Sequence, residues 1–402
     1  MEALVNPVRR YAWGSRSVLA ALQGRPVPSP EPEAELWIGA HPSAPSLVGR
    51  GDARRPLSDV IADDPAGVLG ADVVARFGPR LPYLLKVLAA DRPLSLQAHP
   101  DADRAQARFA QGHPSYVDPF HKPEVLVALS PFRGLCGFRD PRESAALLAA
   151  LAVPELAPLV ARLRAGSARE AVETLLTWPA AARAALLDAV VAAVKEQPTD
   201  AVYAAEYAMA VDLAHRHPGD VGVVVALLLH YVRLAPGEAI WMPAGNLHAY
   251  LDGVGVELMA ASDNVLRGGL TPKRVDVPEL LRVVQFAPLP DPVLRAAEVA
   301  PGVRSWPVPV EDFALHEVVV DDGRPRVTLP APGPRAVLCV AGAVEVDDGA
   351  GAVRLVAGEA AFGAATGAPL RLSGAGTAYL ATPNLTGVSG PAARSRGAVA
   401  FH

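Results

Sequence analysis

The chain has 402 residues, of which 51% are hydrophobic and 20% charged: enough apolar material for two or three cores, and too little charge for a disordered chain. A net charge of −5 gives no molecule-wide field that would draw nucleic acid or an anionic membrane, so an anionic ligand needs cations gathered locally. Cys136 and Cys339 lie far apart in apolar runs, which excludes a disulfide framework or a cysteine-type zinc site and fits a reducing, cytoplasmic setting.

The opening MEALVNPVRRYAWGS lacks the apolar run of a secretory signal. The longest apolar stretch, Val221 to Leu229, is about half the ~20 residues a membrane span needs. Up to about Arg139 the chain reads as short strands and turns, with Ala34–Gly39 and Tyr83–Leu88 as strand-like pieces bounded by Pro, Gly and Asp. From Asp140 to about His217 the apolar residues recur at helical spacing. Asp140-Pro-Arg-Glu143 supplies an N-cap, a proline at the first helical position and an N3 glutamate, and Ser167-Ala-Arg-Glu170 reads as a capping box.

After Pro218-Gly219 the β-branched character returns. His230–Leu234, a Pro-Gly turn and Glu238–Met242 read as a hairpin. A proline-rich connector, Pro288-Leu-Pro-Asp-Pro292, leads to further short strands around Val337, Val344, Val353 and Leu370, and the run after Asn384 reads as a mobile tail. The expected architecture is mainly β with an α-helical insert. Residues 1–139 and 218–285 form a split jelly-roll core, 140–217 the insert, and 286–402 a second β domain.

The chemistry concentrates in three segments. In Gly237-Glu-Ala-Ile-Trp-Met-Pro243-Ala-Gly-Asn-Leu-His248, glycine makes a turn, a strand crosses a barrel, proline ends it at the rim, and His248 opens the next strand pointing inward; this is the spacing of the second metal-binding motif of cupins. In Pro93-Leu-Ser-Leu-Gln97-Ala-His99-Pro100 the alternation places Gln97 and His99 on one face, a pair costly to bury unless something binds it. Glu124, in His121-Lys-Pro-Glu124 ahead of an apolar run, is a carboxylate aimed at a core. Gln97, His99, Glu124 and His248 together suit a borderline divalent ion such as zinc, one per chain, with a position open to water or substrate. A third segment, Glu257 to Lys273, combines an apolar strand with a glycine-rich loop carrying Asp263, Arg267 and Lys273, local positive charge of the kind an anion needs.

Six blocks carry a resemblance: Tyr11-Ala-Trp-Gly-Ser, Ala34–Ser43, Pro93–Pro100, His121–Glu124, Pro243–Leu251 and Ala260–Lys273. In this order, over residues 7 to 280, the sequence resembles the type I mannose-6-phosphate isomerases. That resemblance implies a zinc-dependent interconversion of mannose 6-phosphate and fructose 6-phosphate on a cupin core with a second cupin-like β domain. Carried over by motif, it implies metal ligands at Gln97, His99, Glu124 and His248 and an active-site arginine at Arg267. It also places Lys122, Glu257 and Lys273 on the pocket wall, with Ser95 and Lys86 further out. The C-terminal Gly358-Glu-Ala-Ala-Phe-Gly-Ala-Ala-Thr-Gly367 has the turn and strand but neither the proline nor the histidine, so that half is expected to hold no metal.

Isomerisation moves a proton between C2 and C1 through a cis-enediol. It needs stabilisation of the adjacent oxygens and a base tuned towards neutrality. Glu257, Lys273 and Lys122 are the candidate bases, while Ser95, a lysine or Arg267 would grip the phosphate. His41, His113, His121 and His230 read as structural or surface groups, and Trp13 and Trp37 as core anchors. A monomer acting on a small sugar phosphate is expected, with a non-catalytic sugar-phosphate-binding cupin as the alternative and an iron-dependent cupin oxygenase disfavoured by the glutamine ligand.

Overall fold

The computed structural model describes residues 1–49 and 51–385, so the tail read after Asn384 falls, from residue 386 on, outside the described residues. Its centre is a pair of antiparallel leaves sharing one long strand, His248–Ala260. The start of that strand pairs with Phe132–Phe138 and Leu96–Ala98; from Gly253 onward it lies between Tyr83–Ala90 and Glu124–Ala128. Leu229–Leu234 and Leu266–Gly269 extend the first leaf. Glu35–Ile38 and Glu238–Met242 extend the second.

The change of leaf occurs at Gly253, where φ is +117° and an added Cβ would lie 2.7 Å from the Phe132 ring and 2.8 Å from its Cα. Only glycine accepts both that backbone angle and that approach.

Alternation along the second leaf sorts its residues onto two faces. Leu85, Val87, Val125, Val127, Val256 and Leu258 point outward and share a core with Trp306, Phe313, Leu338 and Tyr379 of the C-terminal region. Lys86, Glu124 and Glu257 alternate with them and point into the barrel. The strands are therefore buried on both faces, which explains their nearly unbroken apolar character despite the charged residues within them.

A second sheet is formed around Ala314–Val320, Leu370–Thr382, Arg335–Asp347 and Ala360–Gly363. The first strand of the chain, Glu2–Val5, pairs with Ala360–Gly363 in this second sheet, while Val293–Arg295 pairs back onto Glu238–Met242 in the first.

Between Pro141 and Arg216 the chain forms five α-helices whose apolar faces share a core with Leu135, Leu247, Leu251 and Leu266 of the barrel. The Asp140 side chain accepts from Arg142 N at 2.7 Å, and Ser167 accepts from Glu170 N at 3.2 Å. Glu170 does not return the bond; its carboxylate lies 3.7 Å from Arg162, so only one half of the expected capping box forms.

Three sequence expectations are corrected. The two strands flanking Pro236-Gly237 are not a hairpin: Leu229–Leu234 pairs with Phe132–Phe138 and Glu238–Met242 with Glu124–Ala128, so the turn carries the chain from one leaf to the other. The β-branched run after Pro218 begins with a short helix, Gly222–Ala226, whose first residue packs so closely on Gly269 that an added Cβ would lie 2.9 Å from its Cα. The N-terminal region is not all strands and turns, since Leu57–Asp63, Pro65–Leu69, Ala71–Phe77 and Ala102–Ala110 are helical. These helices are too short to show a sustained apolar period. Two of their caps, Asp64 accepting from Gly67 N and Asp101 from Arg104 N, are nonetheless readable signals.

Replacing Gly253 by alanine should cost about 2–5 kcal/mol, the combined cost of a strained φ and overpacking against Phe132. Urea unfolding should show a lowered midpoint at unchanged slope.

Candidate active site

Residues directly opposite one another on antiparallel strands share a face. His248 lies opposite Gln97, and Gln97 opposite Arg267. On the other leaf Glu257 lies opposite Lys86, and Lys86 opposite Trp37. Glu124 is two residues along its strand from Leu126, the partner of Glu257. Register alone thus turns these side chains towards a common space, a cleft of about 880 Å³. Gln97, Glu124, His248, Lys86, Lys122, Glu257, Ser95, Asp263, Arg267 and Lys273 all line it, and His99 is buried beneath.

His99 Nε2 and His248 Nε2 each stand 3.2 Å from the same Glu124 oxygen, with the two rings 5.2 Å apart. One ligand atom from each of the three residues lies within 4.8 Å of the others, the one such grouping of His, Cys, Asp or Glu found among the described residues. The far side of each ring fixes its tautomer. His99 Nδ1 donates to the Asn264 carbonyl at 2.6 Å and His248 Nδ1 to the Asn246 carbonyl at 3.1 Å, leaving both Nε2 lone pairs aimed at Glu124. His99 Nε2 is fully buried without an aligned hydrogen-bond partner. A buried orphan nitrogen beside a second imidazole and a carboxylate fits a divalent cation. Gln97 lies opposite His248 in the sheet and lines the same cleft.

Burial lowers the His99 pKa to about 4 against the pull of Glu124, so the ring is neutral and free to donate its lone pair at neutral pH. Burial by itself would raise Glu124, but the Lys122 ammonium at 3.0 Å holds it well below the usual carboxylate range.

A second buried cluster adjoins the first. Glu257 accepts from Tyr250 Oη at 2.6 Å and from Lys86 Nζ at 3.0 Å; Lys86 also stands 3.5 Å from Glu35, which accepts from Trp37 Nε1 at 2.9 Å. Burial raises the Glu257 pKa, Lys86 opposes this, and the carboxylates of Glu124 and Glu35 push it further up. For Lys86, burial is outweighed by Glu257, Glu35 and Glu124, and its pKa rises.

Several placements differ from the sequence expectation. Lys86 lies at the floor of the cleft bonded to Glu257, not further out, because its position opposite Glu257 on an inner face leaves it no route to the rim. Trp37 is buried as expected of a core anchor, yet its ring is cleft wall, as is that of Trp13. His41 is buried with Nε2 3.4 Å from Asp263. Lys273 is exposed, whereas Ser95 and Arg267 are half-buried.

Tyr250 and Glu35 were not singled out, though the period of two carries the signal: Tyr250 follows His248 by two residues and Glu35 precedes Trp37 by two. Arg216 and His217, from the end of the helical insert, also reach the cleft, and no local motif announces them.

A barrel whose two leaves bring His, Glu and His together at one mouth has the architecture of a metal-binding cupin. Residues 1–141 match the family model "Phosphomannose isomerase type I, catalytic domain". The chain is 38% identical over 393 residues to mannose-6-phosphate isomerase of Shigella flexneri, covering 94% of this chain and 98% of that protein. It is 34% identical over 353 residues to the Mus musculus mannose-6-phosphate isomerase, covering 78% and 80%. The fold is similar to a crystal structure of an arginine-to-alanine mutant of phosphomannose isomerase from Salmonella typhimurium, with a TM-score of 0.88, 33% identity and 96% and 100% of the two chains covered. The chain belongs to the type I phosphomannose isomerase family, and it is a mannose-6-phosphate isomerase across its length.

The neutral His99 makes a signed prediction. Its pKa falls from 6.5 to about 4 on folding, so below about pH 6.5 the unfolded chain takes up a proton that the folded chain refuses. Metal-free protein should lose on the order of 3 kcal/mol from this residue as pH falls to about 4, with Glu124 acting in the same sense at still lower pH. Denaturation of chelator-treated wild type and His99→Gln between pH 7 and 4 should show a shallower decline in the variant.

Proposed function

We propose that this isomerase interconverts D-mannose 6-phosphate and D-fructose 6-phosphate through a cis-enediol, with one zinc ion held by Gln97, His99, Glu124 and His248. The observation that carries the reading is the convergence of His99, Glu124 and His248 in a cleft also lined by Glu257 and Arg267. When bound, a zinc ion supplies Lewis acidity that lowers the cost of negative charge on the sugar oxygens.

The chain's own groups do the rest. Arg267, a half-buried guanidinium on the strand beside Gln97, donates to the oxygen on which negative charge develops. Glu257, its pKa raised by burial and held between Tyr250 and Lys86, accepts the proton from one carbon and returns it to the other. Lys122, beside Glu124, and Lys273, on the rim, are the competing bases. Ser95, Lys273 and Asp263 contact the phosphate and hydroxyls, and that remote binding orients the reacting carbons. Lys86 acts by orienting Glu257.

The enzyme is further proposed to be a monomer and to be cytoplasmic, the location being supported by its two free buried cysteines, which fit a reducing setting. We assign residues 1–139 and 218–285 to the catalytic core, 140–217 to the insert and 286–402 to a second domain that holds no metal.

The variants separate the roles. His248→Ala should lose bound zinc and turnover together, measured by metal analysis and by fructose 6-phosphate formation with and without chelator. Arg267→Ala should keep its zinc while kcat falls about 10²–10³-fold. Loss of metal from Arg267→Ala, or full turnover in chelator-stripped wild type, contradicts the assignment. Glu257→Gln should lower kcat by about 10²–10⁴-fold with zinc retained; a smaller loss than in Lys122→Ala or Lys273→Ala moves the base to that lysine.

A further inference from the structure

Behind His99 lies a side chain to which the reaction above gives no task. Asn264 is completely buried. Its carboxamide nitrogen donates to the carbonyls of Asp118 and Phe120, both at 2.8 Å, and its oxygen accepts from Val117 N at 2.9 Å. The amide orientation follows from these partners, since a flipped group would set nitrogen against an N–H and oxygen against two carbonyls. Asp118 completes the clamp: its carboxylate accepts from Ser262 Oγ and from Asp263 N, each at 2.8 Å, on either side of the same loop.

The main chain of Asn264 does different work from its side chain. Its carbonyl accepts the 2.6 Å bond from His99 Nδ1 that fixes the ring tautomer. Three residues later the same segment, already paired with the Gln97 strand, carries Arg267. On the other side, the 117–120 loop held by the carboxamide leads directly to Lys122 and Glu124. One amide therefore joins the segment that delivers His99's acceptor and Arg267 to the one that delivers Glu124.

We propose that Asn264 is a positioning residue: its carboxamide locks the 117–120 loop to the 262–264 loop, and so sets the carbonyl that orients His99 towards the metal. Aspartate would not substitute despite its shape, because a carboxylate would face the carbonyls of Asp118 and Phe120. Alanine would leave Val117 N and both carbonyls without their partner, and the loop would drift.

The inference rests on the metal reading of the site, and its test is a ratio to wild type, so the two can fail separately. Full-length protein stripped with chelator is titrated with Zn²⁺ against a chromophoric competitor, and thermal unfolding of the same samples is recorded without metal. Asn264→Ala and Asn264→Asp should bind Zn²⁺ about 10–100-fold more weakly than wild type. Leu372→Ala, a fully buried change in the distant second sheet, supplies a destabilised reference that should bind within about twofold of wild type. Ser262→Ala removes one strap of the clamp while keeping Asn264, and should weaken binding by about 3–10-fold even if the Asn264 variants fail to fold. At saturating Zn²⁺ the loop variants should also show a lowered kcat, which the Leu372 reference should not. Wild-type Zn²⁺ affinity in Ser262→Ala and in any folded Asn264 variant overturns the proposal and makes the amide purely structural. Failure of wild type itself to bind Zn²⁺ overturns the metal reading instead.

Discussion

The arrangement depends on a cost: charge placed inside an apolar barrel must be compensated. Glu35, Glu124 and Glu257 are all nearly inaccessible to solvent, as are Lys86 and Lys122. Ion pairs link each of the three carboxylates to one of the two ammonium groups, so the buried set is one positive charge short of neutral. Glu257 shows the shortfall as a raised pKa, because burial and two neighbouring carboxylates outweigh its lysine. A divalent cation between the imidazoles would reverse the sign and leave the cleft suited to an anionic sugar intermediate. The same set that is awkward as a hydrophobic core is thus complementary to the charge that the reaction develops.

Rigidity is the second requirement, and it comes from burial on both faces. The strands carrying Lys86, Glu124 and Glu257 present their alternate residues to a core shared with the C-terminal region. Any movement of the catalytic face must therefore disturb the packing of Leu85, Val127 or Leu258 against Trp306, Phe313 and Tyr379. Strand exchange between the sheets, with Glu2–Val5 in one and Val293–Arg295 in the other, ties the two halves together through backbone hydrogen bonds. On the opposite leaf the helical insert packs on Leu247 and Leu266, close to His248 and Arg267. Lys86, Glu124, Glu257 and Arg267 consequently each have a close-packed apolar layer behind their strand.

The imidazoles are oriented by main-chain carbonyls, those of Asn246 and Asn264, and not by carboxylates. A carbonyl acceptor holds the tautomer without adding negative charge to a set already in excess. It also makes ring orientation depend on loop conformation, so residues remote from the reacting atoms can govern the site through the backbone.

Much was legible in the sequence because it depends on short-range geometry. The Gly237–Pro243–His248 spacing encodes a turn, a strand of fixed length and an inward side chain, and a period of two put Gln97 and His99 on one face. The helical insert announced itself through long runs of small helix formers and the Asp140 and Ser167 caps. Pairing partners were not legible. The turn at Pro236-Gly237 looks the same locally whether its strands pair with each other or cross between leaves, and long-range burial decides between them. For the same reason composition could show that Lys86 was a cation but not that Glu257 would face it, nor that Arg216 and His217 would close the cleft from the insert. The sequence by itself determined which chemical groups are present and which face of its own strand each occupies, because those follow from residue type and backbone period. Tertiary structure alone decided which groups meet, because strand register and sheet closure are set by the packing of apolar faces drawn from the whole chain.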